Sequence, residues 1–188
     1  MKKGKLVVYT GCSGVGKGTI MKELLKRNAN IRLSVSCTTR KPRPEDIEGV
    51  TYYFVSKEEF RATAEQDGFL EYAQFCDNYY GTPKAAVDKM LRKGYDVFLE
   101  IEVDGGMQVM YKRPDCISIF ITPPSMEELE KRLRGRGTED EETIIKRLER
   151  AVDEMKFERY YKYSVLNDNP ERAAKEILSI LEAEKNGK

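Results

Sequence analysis

The chain has 188 residues, 35% charged and 40% hydrophobic, with 33 Lys and Arg against 32 Asp and Glu and no histidine. This supports one sizeable core and gives no overall basic excess for nucleic acid, so any basic site must be local. Without histidine, Ser-His-Asp and Cys-His catalysis in their usual forms are excluded; four scattered cysteines (12, 37, 76, 116) with no CxxC pair speak against zinc or disulfide scaffolds.

The N-terminus runs straight into a short apolar segment, so neither a leader nor a membrane-spanning stretch is expected. A cytoplasmic protein without membrane or nucleic-acid partners is the expectation.

The apolar run Leu6-Val7-Val8-Tyr9-Thr10 reads as a strand, followed by Gly11-Cys12-Ser13-Gly14-Val15-Gly16-Lys17-Gly18-Thr19. Gly11, Gly16 and Lys17 fit the phosphate-loop pattern G-x-x-x-x-G-K-[ST], except that Gly18 precedes Thr19. Glycines let successive N–H groups turn inward, the following helix presents its positive end, and Lys17 adds a full charge for β/γ-phosphates. Because position 18 has no side chain, magnesium is expected to be held mainly by phosphates and water, with Thr19 at most an indirect partner. Cys12, near a helix N-terminus and Lys17, is expected to have a lowered thiol pKa.

Ile20, Met21, Leu24 and Leu25 give the next helix an apolar stripe, ended at residues 28–30. Leu33 to Ser36 alternates like a short strand. The loop Ser36 to Phe54 contains Arg40 and Arg43 on either side of Pro42, two guanidinium forks suited to phosphate oxygens or, equally, a solvated basic turn. Ser56 with Glu59 predicts a capped helix to Gln66. Phe69 to Ala73 alternates as a strand, a pattern that would by itself turn Glu71 to solvent. Tyr79 and Tyr80 suit either a core or a site, and Pro83 opens a helix that Gly94 stops.

Val97 to Glu102 reads as a buried strand with carboxylates Glu100 and Glu102 at its C-terminal end, where open α/β sheets bind ligands. Cys116 to Ile121 is a further core strand. Ser125 is expected to cap a helix, with Glu128 completing a capping box, before the basic run that contains Arg132 and Arg136. An amphipathic helix through Ile144 to Met155 carries Arg147 and Arg150; Tyr163 to Leu166 is the last strand, and Pro170 begins the last helix.

The phosphate loop, S-x-T-T-R-x-P-R at 36–43 and G-x-x-Y at 49–52 are followed in order by the segments at 69–73, 78–82, 99–105, 123–125, 135–138 and 165–168. Over nearly its whole length the chain thereby resembles the guanylate kinases, the GMP-specific nucleoside monophosphate kinases. The resemblance implies an α/β, P-loop NTPase-like parallel sheet flanked by helices. The core would span about 1–35, 86–125 and 151–188, with a GMP-binding insertion at about 36–85 and a helical lid at about 126–150. It implies ATP-dependent phosphorylation of GMP, and of dGMP, in purine nucleotide metabolism, with Mg2+ bound alongside ATP.

For ATP it implies Gly11 to Thr19 (Gly11, Cys12, Ser13, Gly14, Val15, Gly16, Lys17, Gly18, Thr19) with Arg132 and Asn167. For GMP it implies Arg40, Arg43, Tyr52 and Tyr80 around the 5′-phosphate and Ser36, Glu71, Thr82 and Glu102 around the base. Lys17, Arg40, Arg136 and Arg147 would be catalytic, and Glu100 would reach magnesium through water. The chemistry is consistent: a carboxylate accepts from guanine N1–H and N2–H, whereas adenine would turn an acceptor towards it. Asp46, Glu45 and Asp104 depart from the usual pattern, which has glutamate, glycine and glutamine there. The alternatives are a kinase for another monophosphate, opposed by the base-reading set, and a non-catalytic peptide-binding module of the same fold, opposed by Lys17 and the lid arginines.

Overall fold

The computed structural model describes residues 3–135 and 140–187. A five-stranded sheet carries β1 (Leu6–Gly11), β2 (Ile31–Leu33), β7 (Asp96–Glu100), β8 (Ile117–Thr122) and β9 (Tyr163–Leu166) in the spatial order β2-β7-β1-β8-β9. All of its pairings are parallel. Parallel strands are covered on both faces, which is why β1 is buried at every position. Its alternate side chains enter opposite layers. Val7 and Tyr9 join Ile20, Met21 and Leu24 of α1 (Lys17–Arg27) and Ile177 and Leu181 of α7 (Pro170–Lys185). Leu6 and Val8 join Val87 and Leu91 of α3 (Lys84–Arg92) and Val103 and Val109 of α4 (Val103–Lys112). Burying each such side chain contributes about 1.5–3 kcal/mol.

A second sheet has the order β4-β3-β6-β5, from β3 (Cys37–Thr38), β4 (Tyr53–Phe54), β5 (Phe69–Phe75) and β6 (Asn78–Pro83). β5 and β6 form an antiparallel hairpin, and α2 (Lys57–Glu65) packs Phe60 against Phe69 with ring centroids 4.4 Å apart. The Ser56–Glu59 capping box on α2 is complete. After β8 come α5 (Met126–Arg134) and α6 (Glu141–Met155).

Three sequence expectations need correction, and a fourth, the helix opened by Pro83, holds with an addition. Residues 33–36 are not a strand: β2 ends at Leu33, and the chain crosses to the second sheet before Cys37. The strand expected to reach Glu102 ends at Glu100, and Glu102 is instead the N-cap of α4. Pro83 is the last paired residue of β6 as well as the N-cap of α3. At Ser125 the box is half formed, since its side chain accepts from the Glu128 amide while the Glu128 carboxylate turns to Arg132 one turn on, at 3.2 Å.

Candidate active site

β1 delivers the chain to the glycine loop at the carboxyl end of the sheet. Gly14 and Gly16 have φ of +86° and +96°, values that glycine adopts readily and residues with a side chain rarely do. At Gly16 space is also short: a Cβ there would lie 2.6 Å from Asn167 Nδ2, which donates to the Val15 carbonyl at 2.7 Å. Asn167 follows β9, which lies beyond β8 from β1, and so braces the loop from two strands away. Arg132 of α5 adds bonds to the Asn167 carbonyl at 3.0 Å and the Val15 carbonyl at 3.4 Å.

Gly14 to Thr19, Lys22 and Glu100 line a cavity of about 330 Å3 at the start of α1. Lys17 folds back, its Nζ donating to the Gly11 carbonyl at 2.8 Å, and Tyr9 Oη holds the Lys17 carbonyl at 3.1 Å. Burial pushes the Lys17 ammonium down while the Glu100 carboxylate opposes that shift. Glu100, on β7 beside β1, is itself pushed up by burial and held down by Lys17. A Cβ at Gly18 would stand 3.8 Å from Glu100 Oε1, so the absent side chain leaves that carboxylate facing the loop.

Cys12 does not have the lowered pKa expected of it. Its side chain is fully buried, and that burial outweighs Lys17 and pushes the thiol up to about 11. Ser13 is engaged by α6: Arg147 donates to its Oγ through Nε at 3.3 Å and Nη2 at 3.0 Å, and its N–H donates to Glu154 at 2.9 Å. Arg136 lies outside the described residues.

The second sheet gathers another group. Arg40 pairs with Asp46 at 2.9 Å, and its guanidinium sits 5.5 Å from the Tyr52 ring centre. Tyr52 meets Tyr80 edge-on at 5.8 Å. Asp46 also accepts the Arg43 amide at 2.7 Å, so the Arg43 amide and the Arg40 guanidinium hold it below the usual carboxylate range. The aspartate that departs from the expected pattern thus folds the loop and aims Arg40. The Arg43 side chain is exposed, and Ser36 is half-buried with its carbonyl bound by the Tyr53 amide.

Further along the hairpin, Glu71 is 7% exposed, contrary to the outward turn that its alternating strand alone suggests. A register shift between Phe69 and Glu71 breaks the simple alternation there. Thr82 is fully buried and its hydroxyl donates to Glu71 Oε1 at 2.5 Å. Burial nevertheless pushes the Glu71 carboxyl up. Helix α4 stands against the pair because Gly105 leaves room: a Cβ there would be 2.9 Å from Glu71 Oε2. Gln108 fixes the contact through both polar groups of Tyr72. Glu102 is exposed and paired with Arg150 of α6.

The sequence marks Asp46 only as a departure from the usual pattern, and it does not mark Glu154 or Gly105 as holders of these side chains. The four-residue spacing of Arg150 and Glu154 on an amphipathic helix is a readable signal for that ion pair. Nothing in the sequence pattern marks Gly105 as a contact.

A parallel sheet with a glycine loop and lysine at its carboxyl end, beside an arginine–tyrosine cluster on a smaller sheet, is the architecture of a P-loop phosphotransferase. The guanylate kinase family model matches residues 3–184. The chain is 53% identical to guanylate kinase of Clostridioides difficile over 99% of its own length and 91% of that relative. It is 51% identical to guanylate kinase of Lactiplantibacillus plantarum over 98% and 90% of the two chains. The crystal structure of guanylate kinase from Anaplasma phagocytophilum matches with a TM-score of 0.74 at 35% identity, covering 97% of this chain and 87% of that one. The chain belongs to the guanylate kinase family.

Proposed function

We propose that the two groups of residues are the donor and acceptor halves of one site for the family's reaction, ATP-dependent phosphorylation of GMP to GDP. The observation that carries this reading is the buried Glu71–Thr82 pair on the same hairpin as Tyr80. A phosphate held by Arg40, Arg43, Tyr52 and Tyr80 places its base along that hairpin. There Glu71 and Glu102 accept from guanine N–H groups, while Ser36 and Thr82 complete the base contacts. At the donor half, Gly11 to Gly18 wrap the ATP phosphates with backbone N–H groups, Lys17 bridges the β- and γ-phosphates, and Arg132 and Asn167 support the adenine side.

A phosphate oxygen of GMP attacks the γ-phosphorus in line as the bond to the β-phosphate oxygen breaks, giving ADP and GDP. The attacking oxygen is already anionic, so no protein base is required, and catalysis rests on placing and neutralising two polyanions. Segments 126–150 act as a lid, with Arg147 and Arg136 meeting the charge that develops on the transferring group.

The described residues contain no cluster of three or more carboxylate, cysteine or histidine ligands, yet the loop cavity does contain one carboxylate, Glu100. That donor set suits Mg2+ held by nucleotide phosphates and water with Glu100 behind a water, and Thr19 no more than an indirect partner. Bound there, the ion would neutralise charge on the β- and γ-phosphates. No helix among the described residues is long and apolar enough to cross a membrane. The four free cysteines fit a reducing compartment, and we place the enzyme in the cytoplasm.

Side-by-side rates with GMP, dGMP, AMP, CMP and UMP test the reading. Turnover is expected with the two guanine nucleotides, and equal turnover of AMP would overturn the acceptor assignment.

A further inference from the structure

Helix α6 connects the two halves through a chain of charges. At one end Glu154, whose side chain is only 12% exposed, accepts the Ser13 amide at 2.9 Å. Its other oxygen accepts Arg150 Nε at 2.9 Å, one turn back on the same helix. Arg150 Nη2 then donates to Glu102 at the start of α4. The Arg150–Glu102 pair on its own is exposed enough to be worth little. What distinguishes it is that Arg150 is already oriented by a carboxylate anchored on the glycine loop. Its planar fork can therefore offer Nη2 to Glu102 with little further ordering.

We propose that Arg150 is the positioning residue for the acceptor-site carboxylate, with Glu154 as its anchor on the donor loop. Arg150 occupies Oε2 of Glu102, which leaves Oε1 to accept from the guanine amino group. The Glu102 side chain is 71% exposed, and its ion pair is with Arg150. This rests on the assignment of Glu102 to the guanine site. Arg150 touches neither nucleotide; it acts through Glu102.

The test compares Arg150→Ala, Arg150→Lys and Glu102→Gln with the unaltered enzyme, using ATP and either GMP or inosine monophosphate, which lacks the amino group. Losing one exposed but pre-oriented charged bond is expected to raise KM for GMP about fivefold in Arg150→Ala. KM for ATP should move less than twofold. Preference for GMP over inosine monophosphate should fall by a similar factor of about five. Arg150→Lys should fall between, since one ammonium cannot hold Glu102 and Glu154 in the fork's geometry. A merely structural arginine would lower melting temperature and active fraction and leave both ratios unchanged, and that result overturns the proposal. So does an equal rise in KM for ATP and GMP. If Glu102→Gln raises KM for GMP and Arg150→Ala does not, the positioning role fails while the site assignment stands. If Glu102→Gln leaves KM for GMP unaltered, the assignment fails and takes the proposal with it.

Discussion

Exchanging Glu71 for glutamine should move stability and activity in opposite directions. The carboxyl is 7% exposed and burial pushes it above the usual carboxylate range despite the Thr82 hydroxyl and amide. Each unit of such a rise costs about 1.4 kcal/mol when the group is ionised. Glutamine keeps the shape and carries no charge, so Glu71→Gln should stabilise the free enzyme at neutral pH and raise its Tm.

Recognition should suffer. An amide has one acceptor where a carboxylate has two, so in either orientation its NH2 faces a donor, the Thr82 amide or guanine. Losing a charge-assisted bond, about 1.5–3 kcal/mol, and leaving a donor unmatched, about 1–3 kcal/mol, predicts a fall of about 10²–10⁴ in kcat/KM for GMP.

The pH dependence has a definite sign. Between the ordinary carboxylate range and the raised native value, the native state binds more protons than the unfolded state, so this group's contribution falls as pH rises. The Tm advantage of Glu71→Gln should therefore be near zero in acid, grow through that window and then level off. Thermal melts across pH and ADP release at subsaturating GMP measure both effects. Parallel loss of stability and activity would show that Glu71 is a structural brace, and an unchanged KM for GMP would refute the base-reading role.

Lys17→Ala should remove most turnover even at saturating GMP, and unchanged turnover would sink the donor-loop assignment. Gly16→Ala forces a Cβ to 2.6 Å from Asn167 Nδ2 at a φ of +96°, and should raise KM for ATP about tenfold while sparing KM for GMP. Gly105→Ala, whose methyl would meet Glu71 Oε2 at 2.9 Å, should do the reverse, raising KM for GMP and sparing ATP. With its thiol buried and pushed up to about 11, Cys12 should alkylate more slowly than exposed Cys76; peptide mass spectrometry after brief iodoacetamide treatment reads the order directly.

The fold was legible where a local signal carried it. The loop at 11–19, the Ser56 box and the buried runs of β7 and β8 each combine composition with a recognised boundary residue. Helix α4 was not legible, because Gly105 and Gly106 within it read as helix breakers. The structure supplies their reason: a Cβ at Gly105 would meet Glu71, and one at Gly106 would stand 2.4 Å from Tyr161 Oη. Close packing, invisible in a one-dimensional pattern, outweighs propensity there. The same limit hid Glu71, whose outward reading by alternation fails at an irregular register, and Cys12, where helix position and Lys17 were legible but complete burial was not. Of the residues named through the family resemblance, those described lie around the glycine loop and the second sheet, while the contacts made by Asp46 and Glu154 emerge only from the structure.

Those holders bear on how the site exchanges partners. Lys17 rests on the Gly11 carbonyl, and Arg132 has the Val15 and Asn167 carbonyls among its partners. Arg147 has the Ser13 hydroxyl among its own. Arg132 also pairs with the Glu128 carboxylate at 3.2 Å, but the neutral oxygens among these partners bind a cation less strongly than a phosphate oxygen does. A polyphosphate entering the loop can therefore displace them with a net gain, and the donor side is pre-oriented without being blocked. Arg40 differs, because its partner Asp46 is a carboxylate fixed independently by the Arg43 amide. That anchor keeps Asp46 from following the guanidinium, whose Nη1 donates to the neutral Lys41 carbonyl at 2.9 Å, so a phosphate can replace that carbonyl while Arg40 retains the carboxylate. On the proposed assignment the donor side offers exchangeable carbonyl and hydroxyl partners beside the Arg132–Glu128 pair, whereas Arg40 on the acceptor side keeps an anchored carboxylate.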